Sequence, residues 1–335
     1  MHREYNTNLI EMRGPHVLSP LGIGRRMLAV MFALVPTLVV GATVYGGAAI
    51  AITIACMFTC LVFEVLLNLC LKRRPLADDG TCLVTGMIIA FNLPSNVPFW
   101  IIIVACAIAI IVVKGPVGDK RNAINPAATA VCFVYFCLKD YLDLWPVPLI
   151  GSPDIPEAAQ TAASGLQVMG GASGTMSTNW ELFLGFSPGA FGSVSAIAIM
   201  LGAAYLIWRR LINFLIPVSI LATCAIISLA VGVSPLSTIF SGGLMLGACF
   251  MATDPVTSPK RYRAMAVYGI GIAIITMAIR IFVPFIDEGV YFGIIIMNLT
   301  SPHLDRFFVM EKYKSAHNLN PNKKEIVEEE DVNNI

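Results

Sequence analysis

The sequence predicts an all-α membrane protein of about ten transmembrane helices, arranged as two inverted five-helix repeats that each contain a short broken helix. Three observations carry that expectation. Apolar residues make up 57% of the 335 residues and charged residues only 13%, with a mean hydropathy of +0.77, whereas a soluble domain carries about 25% charged residues. The apolar residues fall into runs separated by short polar turns. Two of the runs are short and share their punctuation: Gly86, Pro94 and Pro98 map onto Gly247, Pro255 and Pro259 with one constant offset.

The elements follow in chain order. Residues 1–24 form a polar arm. The first repeat, 25–142, opens at Arg25-Arg26, and its first two spans run over 26–46 and 48–71, with Gly46-Gly47 turning the chain between them. The segment from Gly80 to Pro98 holds an apolar run of only about a dozen residues, too short for a regular crossing, which needs about 20. A span over 98–113 ends at Lys114, and Asn125-Pro126 starts a span over 126–142, proline being suited to a first helical turn. Residues 143–190 are a long loop of low hydropathy. The second repeat, 191–310, has spans at 193–208 and 212–232, the broken segment Gly242 to Pro259, and spans at 264–283 and 289–308. A charged tail, 311–335, is expected to be disordered.

An odd number of crossings per half inverts the second half relative to the first. Lysine and arginine orient the chain. Arg25, Arg26, Lys72, Arg73, Arg74, Lys114, Lys120, Arg121, Arg209, Arg210, Lys260, Arg261 and Arg263 all fall on one side, and the turns near 47, 96, 235 and 286 carry none. Lys139 dissents, next to Asp140. Both termini therefore face the cytoplasm and the 143–190 loop faces out. A net charge of +1 gives no pointer to nucleic acid, and no early apolar run precedes a cleavage site.

Ionisable residues within membrane spans are functional candidates by default. Glu64 lies within the second span, and a buried carboxylate there either carries a cation or proton or packs as a hydrogen-bonded group. Asp254 ends the second broken segment and Asn92 holds a nearby place in the first. Helix ends inside a bundle leave backbone groups that suit ions or anionic cofactors, so Glu64, Asn92 and Asp254 are the candidate ion pathway. Asp254 also suits a cap or a loop-orienting role. Arg280 is expected to snorkel outward or to meet a phosphate, and Asp287-Glu288-Gly289 to cap the last span. The nine cysteines include no CxxC pair. Cys56 and Cys60 share a helix face, but two thiols make a poor metal site, so no metal is expected. No hydrolase, nucleotide-loop or dinucleotide-fold motif is present.

Several stretches resemble the RnfD/NqrB family. They are Asp79-Gly80 with Val84-Thr85-Gly86, Asn122-Ala-Ile-Asn125-Pro126-Ala-Ala, and Leu182-Phe-Leu-Gly185 with Pro188-Gly189 and Gly192. Met251-Ala-Thr-Asp254-Pro255-Val-Thr-Ser-Pro259 and Glu288-Gly289 followed by Asn298, Pro302 and Asp305 complete the set, in order over residues 20–310. Length places the chain nearer the RnfD branch. The resemblance implies a membrane subunit, in the prokaryotic cytoplasmic membrane, of a complex passing electrons between ferredoxin and NAD coupled to Na+ or H+ movement. It implies other Rnf subunits, membrane lipid and a flavin transferase as partners. It also implies FMN joined through a phosphoester to a threonine of an S/T-G/A-A-T-P-L motif. At the matching place Ser164 stands in the acceptor position and Gly165 replaces the proline, with Thr175 and then Thr161 as the other hydroxyl candidates. Gly185, Gly189 and Gly192 would lie near the flavin phosphate, since glycine lets a backbone approach closely. The NqrB branch implies a second, non-covalent flavin between the halves. The rival readings are a cofactor-free secondary transporter of the same fold and a scaffold subunit without flavin.

Overall fold

The computed structural model describes residues 23–72, 80–117, 123–142, 179–186, 189–283 and 288–319. Among these residues the only regular secondary structure is helical. Helices α1 (Ile23–Tyr45) and α2 (Gly47–Cys70) are joined at Gly46, whose φ of 75° makes the tight turn that a Cβ would oppose. On α2 the buried positions are Ala49, Ile52, Thr53, Cys56, Cys60 and Glu64, at helical spacing. Its outer face carries Ile54, Phe58 and Leu69, all large, apolar and exposed. Small and polar inside, bulky and apolar outside is the pattern a lipid solvent selects.

Gly80, with φ 64°, leads into α3 (Thr81–Phe91). Pro98 starts α4 (Phe99–Ala107), which widens into a π-helical stretch, Ile108–Lys114. Helix α5 (Pro126–Cys137) starts behind Asn125, whose Oδ1 accepts from Ala128 N at 3.1 Å. In the second half α6 (Asn179–Leu184) precedes α7 (Ala196–Trp208) and α8 (Leu215–Val231). The short α9 (Pro235–Phe240) leads to α10 (Leu244–Leu246), which also widens into a π stretch, Gly247–Met251. Helices α11 (Tyr262–Phe282) and α12 (Val290–Leu319) complete the fold.

Among the described residues three helices, Gly24–Tyr45, Gly47–Cys70 and Tyr262–Phe282, are long and apolar enough to cross a membrane, and five more are apolar but shorter. Two sequence expectations need adjustment here. The last helix runs on to Leu319, so the charged tail expected from Glu311 begins as helix. The stretch expected as a 143–190 loop contains α6, where Leu182 is buried and Phe183 packs on Phe240 with ring centroids 5.5 Å apart.

The two broken segments sit at the centre. Every residue of Val84–Phe91 and of Leu244–Met251 is buried. Helix α3 packs against α1, α2 and α5, and the second segment against α7, α8 and α12. Helix α1 also packs on α7, α5 on α12, and α8 on α11. Glycines set the close approaches: a Cβ on Gly86 would lie 2.8 Å from Cys56 O and Met57 Cα of α2, and one on Gly202 would run into Ala33 O of α1. Without a hydrophobic drive between helices in lipid, such small-residue contacts are how helices associate.

Candidate functional site

The two broken segments pack side by side, with the end of the first beside the start of the second: a Cβ on Gly243 would lie 3.4 Å from Asn92 Oδ1. Helix α3 stops at Phe91 with Asn92 as its C-cap, and the second segment stops at Met251 with Ala252 as its C-cap. Asn92 Nδ2 donates to Ile88 O at 2.7 Å and lies 3.9 Å from Met251 Sδ. Asn125, while capping α5, donates from Nδ2 to Met251 O at 2.9 Å. Tyr135 of α5 donates to Asn92 O at 2.9 Å, and Tyr291 of α12 donates to Asn92 Oδ1. Asn92 is 0% exposed. At Asn92 the carbonyl end of the first segment thus lies beside the start of the second, while Asn125 holds the second segment's carbonyl end at Met251 O. Nearby carbonyls are satisfied by Asn92, Asn125, Tyr135 and by Thr253, which donates to Cys249 O at 2.6 Å.

Each broken segment is also pinned at its start. At the start of α3, Lys114 Nζ lies 3.3 Å from Glu64 Oε2 and 3.0 Å from Thr81 Oγ1, and both charged side chains are buried. The sequence placed Lys114 at the charged end of a span; the π stretch that carries it turns it inward instead. Glu64 is therefore one member of a buried ion pair. At the start of α10, Glu288 accepts from Gly243 N at 2.7 Å. Arg280 donates to Thr238 O at 3.0 Å and Ser241 O at 3.1 Å, and its Nη2 lies 3.9 Å from Glu288. The expectation that Arg280 snorkels outward is corrected, since it is 0% exposed. Its guanidinium has two carbonyls to satisfy inside the bundle, and moving outward would strand them. Glu288 likewise caps the second broken segment.

Asp254 orients its own loop: Oδ1 accepts from Val256 N at 3.3 Å and Oδ2 from Thr257 Oγ1 at 3.1 Å. The glycines expected near a phosphate have other work. Gly192 lies against Phe91, and its N–H donates to Phe91 O at 3.2 Å. A Cβ on Gly189 would lie 3.0 Å from Val194 Cγ1. Gly185, at φ 106°, closes on Ser195. Ser164, Thr175 and Thr161 lie outside the described residues, as does Asp287. Among the described residues no group of three or more His, Cys, Asp or Glu is placed to hold a metal ion.

The sequence reasoning missed Tyr135, Tyr291 and Lys114. The signal for the tyrosines was present, because a hydroxyl inside an apolar run must find a partner. Asn125→Ala removes both the α5 cap and the bond to Met251 O. It is expected to lower stability by about 1–2 kcal/mol, read as the denaturation midpoint in detergent; an unchanged midpoint would show the junction to be looser than its geometry implies.

Fold and site together define a multi-helix membrane protein built around two interrupted helices that pack on each other at a buried polar junction. The chain belongs to the NQR2, RnfD, RnfE family, whose sequence model matches residues 11–314. It is 35% identical over 305 residues to the D subunit of the Na(+)-translocating ferredoxin:NAD(+) oxidoreductase complex of Acetobacterium woodii, covering 90% of this chain and 93% of that one. It is 28% identical to the proton-translocating counterpart of Clostridium ljungdahlii, over 88% of this chain and 92% of that one. The D subunit of the ion-translocating oxidoreductase complex of Rhodobacter capsulatus is 31% identical, over 79% and 84% of the two chains.

The residues that carry the family resemblance find physical roles in the geometry. Glu288 and Asn125 tie helix ends together as described. Tyr268 donates to Asn298 Oδ1 at 2.5 Å, and Asp305 accepts from Lys260 N at 3.1 Å and Arg261 N at 3.3 Å, capping the start of α11.

Proposed function

We propose that this chain is the membrane flavoprotein (D-type) component of an Rnf-type complex, passing electrons between ferredoxin and NAD coupled to Na+ or H+ translocation. The observation that carries the reading is the buried meeting of the two broken segments, in a chain whose relatives bear the names of such subunits. About ten crossings in two inverted halves, with both termini in the cytoplasm of a prokaryotic cell, accord with this. The packing of α1 on α7, of α5 on α12, and of the two broken segments on each other pairs elements that hold equal rank in the two halves. Glu64, Asn92 and Asp254 belong to the ion pathway. The partners are the other Rnf subunits, a flavin transferase and lipid.

Ser164 is the proposed FMN acceptor, with Thr175 and Thr161 next in order. A serine hydroxyl has the chemistry to form a phosphoester, so the donor set fits. Gly185, Gly189 and Gly192 do not form a ready phosphate cradle, because their free faces or N–H groups are taken by Ser195, Val194 and Phe91. A bound flavin supplies the redox chemistry, and the chain's share is to position it and tune its surroundings. A second flavin between the halves would need the junction at Asn92 to open. Mass spectrometry of the 143–190 peptide from native membranes tests the attachment: the adduct is expected on Ser164 and lost in Ser164→Ala. An unmodified native peptide sinks it.

A cofactor-free secondary transporter is the second reading, favoured by Gly165 where the motif has proline and by the occupied glycines. Flavin fluorescence of the denatured band in a gel separates the two, since a fluorescent band rules out the plain transporter.

A further inference from the structure

The two pins at the starts of the broken segments differ in kind. In the second half Arg280 donates to two backbone carbonyls, Thr238 O and Ser241 O, and faces Glu288. A guanidinium stays charged, and carbonyl partners cannot leave, so this pin is permanent. In the first half the pin joins side chain to side chain: Lys114 Nζ to Glu64 Oε2 at 3.3 Å and to Thr81 Oγ1 at 3.0 Å. An ammonium is a compact point charge on a flexible stem, and it meets a carboxylate oxygen and a hydroxyl here. These are hard oxygen donors of the kind a small monovalent cation takes.

We propose that Glu64 and Thr81 form a cation site in which Lys114 is a tethered counter-cation, displaced when a transported H+ or Na+ binds the Glu64 carboxylate. The exchange balances in charge: the site gains one positive charge as the cation enters, and the Lys114 ammonium moves off the carboxylate without losing its proton. This rests on the translocation reading above and names the residue that would gate it.

The surroundings suit an exchange. The Cys82 thiol, one residue into α3 from Thr81, faces Glu64. The Lys114 charge is also felt at Asp254 of the second half, giving the ammonium a second anion to answer to. The start of α3 lies against the carboxylate, and a helix N-terminus favours negative charge there. Glu64 thereby has support as an anion in the interval between one cation and the next. The π winding of Ile108–Lys114 places the lysine, and π stretches inside helices recur at functional sites. Because Lys114 touches the first residue of α3, its departure releases the start of the segment whose far end carries Asn92. One exchange therefore bears on both ends of one broken helix.

The test uses the full-length chain in detergent. The probe is dicyclohexylcarbodiimide, an apolar reagent for buried carboxyls that carry a proton, with the adduct on Glu64 read by peptide mass spectrometry. In the wild-type chain, paired with Lys114, labelling is expected to be slow. In Lys114→Met the buried carboxylate is left uncompensated and must take a proton or a cation, so labelling is expected to rise several-fold. Suppression by NaCl but not by choline chloride identifies Na+ as the exchanging cation, and suppression by raised pH alone identifies H+. Lys114→Arg keeps the charge and is expected to stay slow. Labelling that is equally slow in Lys114→Met, or equally fast in every form regardless of Na+ and pH, overturns the proposal.

If Lys114→Met does not fold, the wild type still decides. Its denaturation midpoint is expected to shift with NaCl at constant ionic strength, or with pH, and Glu64→Gln is expected to abolish the shift; no shift in either titration overturns the site. Flavin content is read separately in the gel. Bound flavin with unresponsive labelling rejects the exchange alone, and responsive labelling without flavin rejects the redox reading alone.

Discussion

Arg280→Leu is expected to destabilise the protein by about 3–5 kcal/mol, the range for removing one partner of a buried ion pair. Leucine roughly fills the apolar part of the space but leaves Thr238 O and Ser241 O without a donor and Glu288 without its facing charge. Glu288 also accepts from Gly243 N, so the damage reaches the start of the second broken segment. Adding Glu288→Gln to Arg280→Leu removes the stranded charge and is expected to recover part of the loss, because pairs of buried charges replaced together often come out near neutral. The denaturation midpoint in detergent, compared across the single and double variants, is the measurement. A single variant that melts with the wild type would restore the outward-snorkelling position for Arg280.

Gly192→Val is the second large effect. A Cβ on Gly192 would lie 2.6 Å from Phe91 Cα and collide with the Phe91 side chain as well. Phe91 cannot step aside: it is fully buried, closes α3, and stands next to Asn92 with its hydrogen bonds to Tyr135 and Tyr291. Overpacking usually costs about 1–3 kcal/mol and more where neighbours cannot move, so the upper end of that range is expected here. Gly47 makes the control, since a Cβ there meets nothing within 4 Å and Gly47→Ala is expected to be neutral. Equal melting of Gly192→Val and Gly47→Ala would mean that Phe91 has room the geometry denies it. The same contact explains why Gly192 belongs to the family's loop motif without appeal to a phosphate.

Much of the fold was legible because composition in a lipid solvent leaves few options. An apolar run must be a helix there, since every backbone group has to be satisfied within it. The starts at Pro98 and Asn125-Pro126 and the turn at Gly46 follow from local rules for proline, asparagine and glycine. The shared spacing of Gly86, Pro94 and Pro98 with Gly247, Pro255 and Pro259 pointed to two matched segments, and the two do touch through the side chains of Asn92 and Met251. Asn92 and Glu64 were readable as candidates because polar side chains inside apolar runs are costly to keep.

What could not be read was who answers whom. Lys114 follows an apolar run and precedes a glycine, which describes a surface lysine as well as a buried one. Its partner Glu64 is 50 positions earlier. Arg280 meets carbonyls 39 and 42 positions away, and Tyr291 reaches Asn92 across 199. Periodicity carries no information at those separations.

The sequence by itself determined that the chain is a helical membrane protein, where its helices start, that two of them are interrupted alike, and which family it belongs to. All of these follow from local chemistry and from the solvent. Only the tertiary structure decided that the end of the first interrupted helix lies beside the start of the second, that Glu64 shares its burial with Lys114, and that Arg280 turns inward. A buried charge or hydroxyl takes whichever partner the packing brings within about 3 Å, and that partner is chosen in space, not along the chain.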